Sequence, residues 1–134
     1  DLFLEKEGRC KGISFRRTFD ENLPDAAIEE SRLRQVLLNI VRNSFEAMPE
    51  GGYIEITTGR QKNDVEISVC DNGPGIPREY LKRIFEPFFT TKDIGTGLGL
   101  YIARDIILES GGGISCDSKK DKGTTIKLRL PFAA

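Results

Sequence analysis

Over residues 31–48, Leu33, Val36, Leu37, Ile40 and Val41, with the small Ser44, fall on one face at three- and four-residue spacing. That period describes a helix with one buried side, and Pro49-Glu50-Gly51-Gly52 ends it. A helix with a single apolar stripe needs a second layer to cover it. The flanking segments supply one, because their period is different. Residues 13–19 have β-rich composition and read as a strand, followed by a turn near Asn22-Leu23-Pro24-Asp25. Residues 53–58 and 65–70 alternate or run apolar on either side of a polar stretch, which predicts an antiparallel hairpin. Residues 77–84 read as a short helix with proline in its first turn. Residues 97–110 read as a second long helix, ended by Gly111-Gly112-Gly113. Residues 114–117 and 124–130 close the chain as a hairpin around the polar 118–123 turn. The expected class is α+β: a two-layer α/β sandwich whose mixed, mostly antiparallel sheet is covered by helices on one face.

At 134 residues the chain is expected to be one domain. A formal charge of −1 makes no electrostatic case for nucleic acid or an anionic membrane. No apolar run is long enough to span a bilayer, and the first residues are not a signal peptide. Cys10, Cys70 and Cys116 are odd in number and far apart, which suggests buried, reduced thiols in a cytoplasmic protein. The chain has no histidine. That excludes serine–histidine or cysteine–histidine catalysis and histidine-ligated metal within these residues. The abrupt start without methionine suggests a fragment, expected to be monomeric, of something longer.

The chemistry concentrates in two glycine loops, Asp71-Asn72-Gly73-Pro74-Gly75 and Gly95-Thr96-Gly97-Leu98-Gly99-Leu100. Asp71 follows directly on an apolar strand. An ionised carboxylate only accepts hydrogen bonds, so it suits the exocyclic amine of adenine and faces the guanine carbonyl acceptor against acceptor. Gly73 and Gly75 would permit positive φ and close approach of a base; alone, the tripeptide is more often an ordinary turn. The second run fits neither the dinucleotide fingerprint nor a Walker loop. It does open a helix with bare backbone amides, which suit phosphate oxygens. Lys92, shortly before it, could reach a terminal phosphate or simply be a solvated loop lysine. Asn39 and Asn43 stack four apart beside the apolar face, where their carbonyl oxygens could serve Mg²⁺ or face water. Phe85, Phe88 and Phe89 read as hinge and docking points of a lid over about residues 85–97, against a locally buried loop core.

Taken in order, these elements resemble the ATP-binding catalytic domain of sensor histidine kinases, within the group shared with gyrase, the heat-shock-90 chaperones and MutL. Residues 33–44 are similar to the family's N box, 71–76 to its first glycine box, 85–89 to its F box, 95–100 to its second glycine box, and Gly123-Thr124 to its last element. The Phe-Phe-Thr-Thr-Lys ending of the lid resembles the nitrogen-regulation subgroup. The resemblance implies ATP as cofactor, ADP as product, and Mg²⁺. It implies Asp71 on adenine, with Gly73, Gly75 and Ile76 around it and Thr124 assisting through water. Asn43 would sit on Mg²⁺ with Asn39 helping, and Thr90, Thr91, Lys92, Gly95, Gly97, Leu98, Gly99 and Leu100 would lie along the phosphates. Asn39, Asn43 and Lys92 would be the catalytic set. The implied partners are a histidine-bearing helical-hairpin dimerisation domain of the same protein and a response-regulator receiver domain. Many members carry lysine or arginine three residues after the second asparagine; here Glu46 stands there.

Two other activities fit the same boxes: an ATP-hydrolysing clamp and an anti-sigma-type serine kinase. A nucleotide-sensing module without chemistry is a further alternative. The clamp ATPases hold a glutamate where Asn39 stands, and asparagine cannot take a proton from water. Transfer is therefore favoured over hydrolysis.

Overall fold

The computed structural model describes residues 2–89 and 98–133, with side chains from Lys6 onward. Helix α1 (Leu2–Cys10) leads into β1 (Ile13–Thr18), α2 (Glu30–Ala47), β2 (Gly52–Gln61) and β3 (Asp64–Asp71). A 3-10 turn at Arg78–Tyr80 follows, then α3 (Gly99–Glu109), β4 (Gly113–Ser118) and β5 (Thr124–Pro131). The five strands form one sheet in the order β1-β2-β3-β5-β4. Strand β1 runs parallel to β2, while β2–β3, β3–β5 and β4–β5 are antiparallel. A parallel neighbour needs a crossover, and α2 with the connector before it supplies one. That connector is tied down at the far end of the sheet, where Ala27 N–H donates to the Pro131 carbonyl at 2.8 Å.

Strand β3 shows why one sheet face is covered and the other is not. Val65, Ile67 and Val69 are buried, and the residues between them are only half-buried. In β5 the same alternation buries Ile126, Leu128 and Leu130. These side chains share a core with Val36, Ile40, Val41 and Phe45 of α2 and Ala103, Ile106 and Ile107 of α3. Outward positions carry polar or charged groups, and the Arg16 guanidinium lies 5.1 Å from the centre of the Tyr53 ring. One face therefore packs while the other meets water.

The expected two-layer architecture is present, with three departures. Helix α1 was not anticipated, because its apolar residues are too few to show a period. Residues 77–84 do not form a helix: only Arg78–Tyr80 is helical, as one 3-10 turn. Pro77 is extended (φ −56°, ψ 140°), and the chain then closes in short turns, such as Arg83 N–H to Tyr80 carbonyl at 2.9 Å. Those turns let Ile84 reach the core and Phe89 pack on Tyr80, with ring centres 5.7 Å apart. The thiols also differ from expectation. All three are free, but Cys10 is exposed and Cys70 and Cys116 are half-buried.

Candidate functional site

The buried alternation of β3 does not stop at Val69. Its next core-facing position is Asp71, only 6% exposed. A carboxylate at an apolar position is costly unless its oxygens are satisfied. Here Oδ2 accepts from the Ser44 hydroxyl of α2 at 2.9 Å and Oδ1 from the Gly73 N–H at 3.0 Å. Gly73 is held close: a Cβ there would lie 3.1 Å from both Asp71 Oδ1 and Met48. Its φ is not positive, contrary to expectation, so its glycine serves approach rather than backbone freedom.

In the sheet register Asp71 pairs with Thr124, and Thr124 pairs with Ser118. The apolar inner face thus ends in a polar row of Asp71, Thr124 and Ser118. The first glycine loop is clasped to the β4–β5 turn beside this row. Gly75 has φ +76°, Ile76 N–H donates to Ser118 Oγ at 2.7 Å, and Asp121 N–H donates to the Pro74 carbonyl. Asn72 Oδ1 accepts from the Tyr53 N–H at 2.7 Å, which fixes the loop's other side.

Helix α2 links this end to the second glycine element. Ser44 touches Asp71, while Asn39 Nδ2 donates to the Gly99 carbonyl at the start of α3, at 3.3 Å. Five residues of helix separate the two contacts, about 7.5 Å along the axis. Asn43 stands between them, one turn from Asn39 and half-buried. A carboxylate at one end and amides beside a helix start at the other are the groups that a base and its phosphates would need at the two ends of a crevice.

The remaining candidates divide. Leu98 and Gly99 are half-buried at the opening of α3, but the Leu100 side chain is committed to the core. Phe85 and Phe89 pack against the core, as a locally buried loop would, while Phe88 is 73% exposed with φ +66°. Thr90, Thr91, Lys92, Gly95 and Gly97, and with them most of the expected lid, lie outside the described residues. Ser44 and Ser118 were not singled out from sequence, although each holds a group that was.

Cys116 shares the inner face one step below Ser118, and its thiol is pushed up to about 12 by burial and by the nearby carboxylates of Asp117 and Asp71. The folded chain thus keeps a proton there that the unfolded chain gives up near 9.0. The stabilising contribution is complete below that lower value and is lost as pH rises towards the upper one. Iodoacetamide at pH 9, read by peptide mass, is expected to label exposed Cys10 well before Cys116. Equal rates at the two thiols would contradict this.

Comparison with known proteins agrees with the geometry. Residues 28–134 match the family model described as histidine kinase-, DNA gyrase B-, and HSP90-like ATPase. Sporulation kinase A of Bacillus subtilis is 38% identical over 128 residues, covering 96% of this chain and 21% of that kinase. The chain thus spans about a fifth of that relative's length. The catalytic domain of histidine kinase ThkA, solved nucleotide-free, superposes with a TM-score of 0.86 at 38% identity, covering 98% of this chain and 86% of that one. Full-length ShkA in complex with AMPPNP gives a TM-score of 0.89 at 31% identity, covering 99% of this chain and 28% of that one. The chain belongs to the histidine kinase-, gyrase B- and HSP90-like ATPase family. Within that family it is an ATP-binding catalytic domain of the sensor histidine kinase kind.

Proposed function

We propose that this chain binds Mg-ATP between α2 and its two glycine loops and donates the γ-phosphate to a histidine on a separate dimerisation domain. The observation that carries the reading is Asp71, a satisfied carboxylate at a core-facing position where the strand otherwise places valine and isoleucine. Its remaining lone pairs suit the adenine amine, with Thr124 beside it. Among the described residues no group of three His, Cys, Asp or Glu side chains could hold a metal. Mg²⁺ would be held by the amide oxygens of Asn43 and Asn39, the latter oriented by its Nδ2 contact with the Gly99 carbonyl, together with water and phosphate oxygens. Such an ion neutralises charge on the phosphates during transfer. Lys92, Thr90, Thr91, Gly95 and Gly97 are proposed to complete the phosphate end.

A neutral imidazole is already a nucleophile, so the domain's task is positioning and charge neutralisation. The receiving histidine is proposed to sit on the parent's helical hairpin, and a response-regulator receiver domain is the proposed next acceptor. The lid's Phe-Phe-Thr-Thr-Lys ending supports a place near the nitrogen-regulation subgroup. Among the described residues no helix is long and apolar enough to cross a membrane, which is compatible with the proposed cytoplasmic location. The chain alone is expected to bind Mg-ATP by calorimetry yet release phosphate negligibly, because Asn39 cannot activate water. Rapid phosphate release would favour the hydrolysing clamp instead.

A further inference from the structure

We propose that Ser118, the last residue of β4, is a positioning residue that sets base specificity by holding the Thr124 hydroxyl as a pure acceptor. The inference rests on the reading that the Asp71 end of the crevice takes the base. Three groups converge on Ser118 Oγ. The Ile76 N–H donates to it at 2.7 Å, it donates to the Gly123 carbonyl at 2.9 Å, and Thr124 Oγ1 lies 2.9 Å away. A serine hydroxyl has one proton and two lone pairs. With the proton on Gly123 and one lone pair on Ile76, only an acceptor is left for Thr124. The assignment that satisfies all three contacts at once makes Thr124 the donor to Ser118, so that its own proton is used inside the protein.

What Thr124 then offers to the crevice is lone pairs alone. Asp71 offers the same, since its oxygens accept from Ser44 and Gly73 and an ionised carboxylate has no proton. The polar row accepts hydrogen bonds directly from a base and donates none. The adenine amine satisfies such a row. Hypoxanthine puts a carbonyl oxygen where that amine stands, and the oxygen finds no donor. Removing the Ser118 hydroxyl releases the Thr124 proton and converts an acceptor into a donor that can meet that oxygen. Ser118 thereby decides which base fits without touching it.

The test is the affinity of the intact chain for ATP and for inosine triphosphate, measured by calorimetry with Mg²⁺ present. In Ser118→Ala the preference for ATP is expected to fall on the order of tenfold relative to the unaltered chain. Ser118→Thr, which keeps the hydroxyl, is expected to restore the preference. In a Thr124→Val background, Ser118→Ala is expected to shift the ratio no further. If Ser118→Ala does not fold, Ser118→Cys reads the same ratio, because a thiol is a weak acceptor. A merely structural role would lower both affinities equally, and an unchanged ratio in Ser118→Ala or Ser118→Cys overturns the proposal. If the unaltered chain binds no ATP, or Asp71→Asn leaves the ratio unchanged, the base site itself is wrong and the proposal goes with it.

Discussion

Asp71→Ala is expected to weaken ATP binding by about 1.5–3 kcal/mol, a rise in Kd of roughly ten- to a hundredfold. The magnitude is that of a hydrogen bond to a charged group, and Asp71 is 6% exposed, so little water competes for it. The same change strips Ser44 and the Gly73 N–H of their acceptor. Some of the measured loss will therefore appear in stability. Asp71→Asn separates the two effects: it keeps the shape and puts donors where the carboxylate had only lone pairs. Titration calorimetry with Mg-ATP, alongside denaturant unfolding, checks both. An unaltered Kd in both variants would remove Asp71 from the binding site.

Gly75→Ala is expected to damage both the fold and the site. The position has φ +76°, and an added Cβ would lie 2.0 Å from the Lys119 carbonyl oxygen. Backbone strain of this sort costs about 1–3 kcal/mol, and the clash adds to it. Relief requires the loop to leave the β4–β5 turn, which breaks the Ile76–Ser118 and Asp121–Pro74 hydrogen bonds. Gly59→Ala in β2 is the matched control, since a Cβ there meets nothing within 4 Å. Urea unfolding is expected to show a lower midpoint for Gly75→Ala only, with an unchanged slope. Equal midpoints for the two variants would contradict the clasp.

Much of this was legible in the residues. The three- and four-residue period of α2 and the two-residue period of β3 gave their elements to within a few positions, because each has one wet face and one dry face. Asp71 and the glycine loops stood out beside those periods, while Thr124 was reached only through the family resemblance. Ser44 and Ser118 were not. Ser44 sits at a core-facing helix position where a small residue raises no question, and its partner lies 27 residues away. Ser118 looks like the start of a polar turn, yet it is the last residue of β4 and touches three separate backbone and side-chain groups. The Ser44–Asp71 and Ile76–Ser118 contacts join distant segments, which no local pattern encodes. Residues 77–84 differ for the related reason that burial of Ile84 and the tilted packing of Phe89 on Tyr80 outweigh a weak helical preference.

The most direct test of phosphoryl donation mixes this chain with a histidine-bearing helical-hairpin domain, Mg²⁺ and γ-labelled ATP. The expected result is acid-labile, alkali-stable label on the hairpin, abolished by replacing its histidine and strongly reduced by Asp71→Ala in this chain. Label appearing only as free phosphate, with none on any histidine-bearing partner, would contradict it.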